Sequence, residues 1–210
     1  MQTLIQLFLH LDTSLASIIQ QYGLWTYMIV FIMIFCETGL VITPFLPGDS
    51  LLFVLGAFSA VGILDLPLVI AIIIIAGVLG DTTNYHIGRI IGPKVFHSDT
   101  SKFFHKKYLT QTEKFYETYG TKAIVIARFM PIIRTFAPFV AGVGKMKYST
   151  FFLWNITGAV LWALSFIMGG YFFGNIPFLQ KNLTLMVLII IGASFIPPSI
   201  EYLRKRKKHV

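Results

Sequence analysis

Four ionisable side chains stand inside otherwise apolar sequence: Glu37 and Asp49 early in the chain, Arg128 and Arg134 in its second half. On membrane-insertion scales each costs about 2.5–3.5 kcal/mol at the centre of a bilayer, so four together are tolerable only if they face one another or water. Two negatives and two positives can neutralise each other, which predicts that the segments carrying them meet and enclose one polar cavity. A guanidinium stays charged when desolvated and its planar fork matches phosphate oxygens, so Arg128 and Arg134 are expected to bind a phosphate. Glu37 and Asp49 are expected to exchange a proton, because burial disfavours a charged carboxylate. The alternative is a purely structural ion-pair network. Such a network is an inefficient adhesive, since buried pairs often stabilise less than an apolar replacement would.

These side chains need a scaffold, and the composition says of what kind. Of the 210 residues, 56% are hydrophobic and only 12% charged, and the mean hydropathy is +0.76. A soluble domain carries roughly 25% charged residues, so the bilayer is the solvent here. Apolar stretches such as Leu66 to Leu79 and Leu183 to Ile196 approach, with their flanks, the ~20 residues needed to cross hydrocarbon. The net charge of +8 is a matter of position. No Lys or Arg precedes Arg89; the positives then fall between Lys94 and Lys122, at Lys145 and Lys147, and in the terminal run Arg204 to Lys208. Loops rich in Lys and Arg stay on the cytoplasmic side. All three segments are therefore expected inside, with a cytoplasmic C-terminus. Contact with membrane lipids is the secondary reading of that charge, and no nucleic-acid partner is expected, because few aromatics interleave the basic tail.

If residues 93–122 and 145–148 share one side, the apolar stretch between them must enter and leave by the same face. Residues 121–144 are thus expected to form a re-entrant hairpin, interrupted by Pro131 and Pro138 and closed near Gly142. The first half mirrors it. Leu24 to Cys36 is too short to cross alone, and Glu37, Pro44, Pro47, Gly48 and Asp49 precede the apolar run Leu51 to Ala60. Residues 22–62 are expected to be a second re-entrant hairpin, on the outer face because no positive charge flanks it.

Between the hairpins, residues 66–91 are expected to cross inward, ending in a stretch with Asp81, Tyr85 and Arg89; residues 150–173, with Asn155, cross outward and 183–203 return, leaving the tail 204–210 inside. Amphipathic segments at 1–21 and 98–119 precede the two hairpins. Residues 1–21 lack the basic start of a signal peptide. Tyr22-Gly23 precedes Glu37 as Tyr119-Gly120 precedes Arg134, with the same spacing. The expected fold is a single all-α polytopic membrane domain, with two oppositely oriented re-entrant helical hairpins in an inverted-repeat arrangement, about three transmembrane helices and amphipathic interfacial helices.

Other residues carry less. Asp81, Asn84 and Arg89, near the inner end of a span, fit snorkelling or capping as well as a functional role. His86 lacks a His or Cys at metal-ligand spacing, so no metal and no cofactor are expected. Trp154 and Trp162 fall on one helical face and read as core or lipid contacts. The lone Cys36 excludes an intramolecular disulfide. Asn182-Leu-Thr184 matches a glycosylation pattern too short to weigh.

Several stretches together carry a family likeness. Glu37 with the turn Thr43-Pro-Phe-Leu-Pro-Gly-Asp49, the stretch Gly80-Asp81 to Gly88-Arg89, and Ala127-Arg-Phe-Met-Pro-Ile-Ile-Arg134-Thr followed by Pro138 and Ala141-Gly142 resemble the bacterial DedA family, which belongs with the SNARE-associated, VTT-domain membrane proteins. Asn155, Gly158 and Trp162 resemble that family's following helix. The resemblance implies a multi-pass protein of the bacterial inner (plasma) membrane, linked to recycling of undecaprenyl phosphate and to the proton motive force. It also implies that the family's acidic and arginine pairs fall on Glu37, Asp49, Arg128 and Arg134.

The expected function is therefore a flippase for a lipid phosphate, most specifically undecaprenyl phosphate, with protons as coupling ions; the oligomeric state is left open. The chief alternative is a proton-coupled exporter of small cations or drugs, in which the acidic pair binds substrate. A phospholipid scramblase stands lower. So does a lipid phosphatase, which needs a nucleophile or a metal that the apolar core does not supply, and no enzymatic activity is expected.

Overall fold

The computed structural model describes residues 23–40, 48–95 and 116–176. The stretches expected at 1–21, 183–203 and 204–210, most of 98–119, and the turn residues Pro44 and Pro47 lie outside the described residues. Everything described is helix or connecting turn, with no strand among the described residues. The helices are α1 (Leu24–Gly39), α2 (Gly48–Ala60), α3 (Leu66–Val95), α4 (Ala123–Ala127), α5 (Pro131–Val143) and α6 (Tyr148–Gly174), with a 3-10 turn at Gly120–Lys122 leading into α4.

Length and surface chemistry follow from the solvent. Leu66–Ile90 and Tyr148–Gly174 have 25 and 27 residues, which at a rise of about 1.5 Å per residue exceed a ~30 Å hydrocarbon layer. Helices α1 and α2 are apolar but shorter. On α1 the exposed side chains are Leu24, Trp25, Met28, Ile29, Ile32 and Met33, while Glu37 and Thr38 are buried. That distribution is inverted relative to a water-soluble helix and is what a lipid-facing helix requires.

Helices α4 and α5 are separated by a short break. Arg128 caps the end of α4, Met130 is extended with φ −118° and ψ 106°, and Pro131 opens α5. Proline suits a first helical position, where its fixed φ is helical and its missing N–H would have had no partner. Pro138 lies inside α5 and cannot donate to the preceding turn.

The chain divides into two compact units, whose boundaries fall within α1, α3 and α6 and between α1 and α2. In the first, α2 packs against the end of α6 through small residues. A side chain added at Gly56 would meet the backbone of Ile167 and Tyr171, and one at Gly170 would meet the backbone of Phe53. Phe173 meets Phe53 edge-on at 5.5 Å. Close backbone approach is how helices associate where lipid tails are as apolar as leucine.

The second unit holds most of α1, α3 and α6 together with α4 and α5. Here Gly39 of α1 lies against Gly80 of α3, and α5 lies against α3 where Gly88 faces Phe139 and Gly142 faces Tyr85. The ring of Tyr85 stacks on Phe151 at 4.4 Å, and its hydroxyl donates to the Met146 carbonyl.

A Cβ at Gly142 would lie 2.8 Å from the Arg89 backbone nitrogen, with no flexible side chain to yield. Gly142→Ala is therefore expected to cost about 1–3 kcal/mol as overpacking. Gly144→Ala, with φ −70° and its nearest neighbour at 3.3 Å, should cost less. Unfolding of both variants, purified in a membrane mimetic, measures the difference.

Candidate functional site

Two helical faces build the site, both in the second unit. On α3, Gly77, Asp81, Asn84, Tyr85 and Gly88 recur at spacings of three and four, so they share one stripe. On α6, Phe151, Asn155, Gly158 and Trp162 do the same. The break between α4 and α5 brings Arg128 to these stripes, and the first turns of α5 bring Arg134.

Arg128 is 3% exposed. Its Nη2 forms an ion pair and hydrogen bond with Asp81 Oδ2, donates to Asn155 Oδ1 at 2.6 Å, and lies 3.4 Å from the Gly77 carbonyl. Asn155 is itself oriented, because its Nδ2 donates to the Val78 carbonyl at 3.1 Å. Glycine at 77 and 158 leaves room for the Arg128 side chain: a Cβ there would stand 3.3 Å from Arg128 Nη1 and 3.0 Å from Arg128 Cδ respectively, tight enough to push against it. Arg128 Nε is buried and has no hydrogen-bond partner among the described residues.

Arg134 meets a different carboxylate. Its Nη2 lies 3.5 Å from Glu37 Oε1, with both side chains nearly buried. The two guanidiniums share one aromatic surface, with Arg134 Cζ 4.7 Å and Arg128 Cζ 5.7 Å from the centroid of the fully buried Trp162 ring. An indole face attracts a desolvated cation without adding a negative charge. Asn84, also fully buried, donates from Nδ2 to the carbonyls of Thr38 and Thr135 at 3.1 and 2.9 Å.

The four charges of the sequence analysis are thus distributed as follows. Glu37 and Arg134 are brought together. Arg128 is brought not to one of the two expected acids but to Asp81. Asp49 belongs to the first unit, in the first turn of α2 directly after the buried Gly48, where a negative charge suits the helix dipole. Pro131 opens α5, Pro138 lies within it and Gly142 packs it on α3. Arg89 is exposed and its Nη1 donates to the Tyr85 hydroxyl at 3.4 Å.

Asp81 is 5% exposed, so it does not snorkel. The reason is its partner, which lies too far along the chain to be read from sequence spacing. Trp162, Asn84, Gly77 and Gly158 are further participants, and their common signal is the recurrence of polar and small residues along one stripe of an apolar helix. Nearby, outside the spans, burial pushes the Tyr116 hydroxyl above the ordinary tyrosine range, with the charge of Asp81 adding to it; it stays protonated and donates to the Ala137 carbonyl at 3.0 Å. Among the described residues no group of three His, Cys, Asp or Glu side chains could hold a metal ion. Guanidiniums, carboxylates and carboxamides around an indole are groups suited to holding an oxyanion and passing a proton.

Comparison with known proteins places this arrangement. Residues 46–172 match the model of the VTT domain. The chain is 50% identical over 206 residues to protein DedA of Escherichia coli (strain K12), covering 97% of this chain and 94% of that protein. It is 41% identical over 182 residues to an uncharacterized membrane protein of Mycobacterium tuberculosis (strain H37Rv), covering 83% and 78%. It is 30% identical over 155 residues to inner membrane protein YqjA of Escherichia coli (strain K12), covering 74% and 70%. No solved structure matches. With its apolar spans, its VTT domain and these relatives, the chain belongs to the DedA family of membrane proteins.

Proposed function

We propose that this protein is a multi-pass transporter of the bacterial inner membrane that carries a lipid phosphate, undecaprenyl phosphate being the substrate the family likeness implies, with the headgroup in the charged cluster and the tail left in lipid. The observation that carries the reading is Arg128 Nε, a buried, charged donor without an acceptor among the described residues, beside a second guanidinium on the same indole. A buried donor left unmade costs about 1–3 kcal/mol, and more when charged. A phosphate oxygen would remove that cost.

Within this reading the two arginines divide the work. Arg128 is committed to Asp81 and Asn155 and anchors the site. Arg134, whose Nη2 lies 3.5 Å from Glu37 Oε1, is the guanidinium that exchanges its carboxylate for phosphate. Glu37 then takes a proton, and Asp49 is the second proton-exchanging acid. In this reading residues 22–62 and 121–144 dip into the membrane from opposite faces as re-entrant hairpins, and residues 66–91 and 150–173 span it. The break at Arg128–Met130 and Pro131 support the second hairpin, since irregular backbone at membrane depth is tolerated where protein covers it. The protein is a carrier in this reading, not an enzyme.

Purified protein in liposomes, assayed for transbilayer movement of a polyprenyl phosphate, tests the proposal. Wild type should accelerate movement, and Arg134→Ala and Glu37→Gln should abolish it. Arg134→Lys should lower the rate at least about tenfold, because an ammonium keeps the charge but not the fork. A pH gradient should change the wild-type rate. Lysine at 134 working at the normal rate would remove the phosphate-fork role; loss on Glu37→Gln with tolerance of Arg134→Ala would indicate a cation exporter instead.

The anchor makes a separate prediction about stability. Asp81→Asn leaves the Arg128 charge buried without its counter-charge and should destabilise by about 3–5 kcal/mol. Pairing it with Arg128→Met should recover most of that loss in unfolding measurements.

A further inference from the structure

We infer that Asn84 is a positioning residue, whose carboxamide sets the register between the segment carrying Glu37 and the segment carrying Arg134. The inference rests on the proposed role of the Glu37–Arg134 pair, and it is carried by a coincidence of geometry. The two acceptors of Asn84 Nδ2 are the carbonyls of Thr38 and Thr135. Each is the residue directly after a paired charge: Glu37-Thr38 on α1 and Arg134-Thr135 on α5. One amide group, with its two protons, therefore holds the same backbone position in both segments, and the charges they carry stand 3.5 Å apart.

The other half of the amide argues that packing alone does not explain it. Asn84 Oδ1 is buried and has no hydrogen-bond partner among the described residues. A leucine would fill similar space without leaving an acceptor unsatisfied, so the feature that asparagine supplies is its pair of donors. Helix α3 is the element to carry them. Thr38 lies in the last turn of α1, where carbonyls lack intrahelical donors, and α5 reaches α3 at Gly88 and Gly142. The charged groups of this unit's cluster are Glu37 on α1, Asp81 on α3, Arg128 after α4 and Arg134 on α5. Asn84 itself carries no charge. It changes the meeting of Glu37 with Arg134 while leaving the Asp81–Arg128 pair to its own hydrogen bonds.

The test is a double-mutant cycle by unfolding of the full chain in a membrane mimetic, which does not depend on transport. The coupling between Glu37→Gln and Arg134→Gln is measured with asparagine at 84, then in Asn84→Leu and Asn84→Ala backgrounds; the second removes the amide without adding bulk or charge should the first fail to fold. The expected result is loss of the Glu37–Arg134 coupling in both backgrounds, with the Asp81–Arg128 coupling unchanged. No Glu37–Arg134 coupling with asparagine at 84, coupling that survives either replacement, or equal loss of both couplings would overturn the inference. In the liposome assay the same variants should lower the maximal rate more than they raise the KM. If wild type moves no polyprenyl phosphate while the coupling behaves as expected, the substrate reading fails and the positioning role stands.

Discussion

The rest of the second unit depends on one constraint: a guanidinium buried in an apolar interior must find its counter-charge and acceptors within the protein. Arg128 meets this in part, with a carboxylate from α3 and a carboxamide from α6 at the point where α4 ends, while its Nε has no acceptor among the described residues. That requirement fixes which stripes of α3 and α6 face inward. It also favours small residues at 77 and 158, where a Cβ would press on the Arg128 side chain. Desolvating two ions is offset only when geometry and additional hydrogen bonds are good, and Asn155, held by the Val78 carbonyl, supplies that addition.

The same constraint separates the two arginines. Trp162 lies beneath both, but one guanidinium is bound by short contacts to groups that are themselves oriented, while the other meets its carboxylate at 3.5 Å. An anchored charge gives a site a fixed potential, and the second guanidinium stands beside it on the same indole. The transport proposed above would use both behaviours, because a substrate must be recognised and then released.

How much of this the sequence disclosed depends on the range of the signal. The helices Leu66–Val95 and Tyr148–Gly174 run through apolar stretches whose length alone is informative, and Pro131 marks a break because proline's effect on backbone is local. The misplaced charges at Glu37, Arg128 and Arg134 were visible for the same reason, since their cost is set by the residues around them in the chain. Partnership was not legible. Two acids and two arginines in apolar sequence suggested pairing among the four, yet Asp81, at the polar end of a span, is the partner of Arg128. Nothing in the spacing of residues 81 and 128 could indicate that, because the pairing depends on how α3 meets the α4–α5 break. Trp162 reads from the sequence as a core or lipid contact, and its position beneath two cations follows from packing alone.

The charge balance of the cluster explains why binding and protonation would be linked. Among the described residues it contains Arg128, Arg134, Asp81 and Glu37, which sum to zero. No mobile counter-ion is at hand inside a bilayer, so a phosphate entering a neutral cluster leaves net negative charge in a medium that penalises it heavily. The least costly correction is a proton on a carboxylate whose cation the phosphate has just taken. Glu37 fits that description better than Asp81, which keeps Arg128 and the hydrogen bonds around it. Under the proposed function, proton coupling would need no separate device: it would follow from neutralising buried charge when the anion arrives and restoring the ion pair when it leaves.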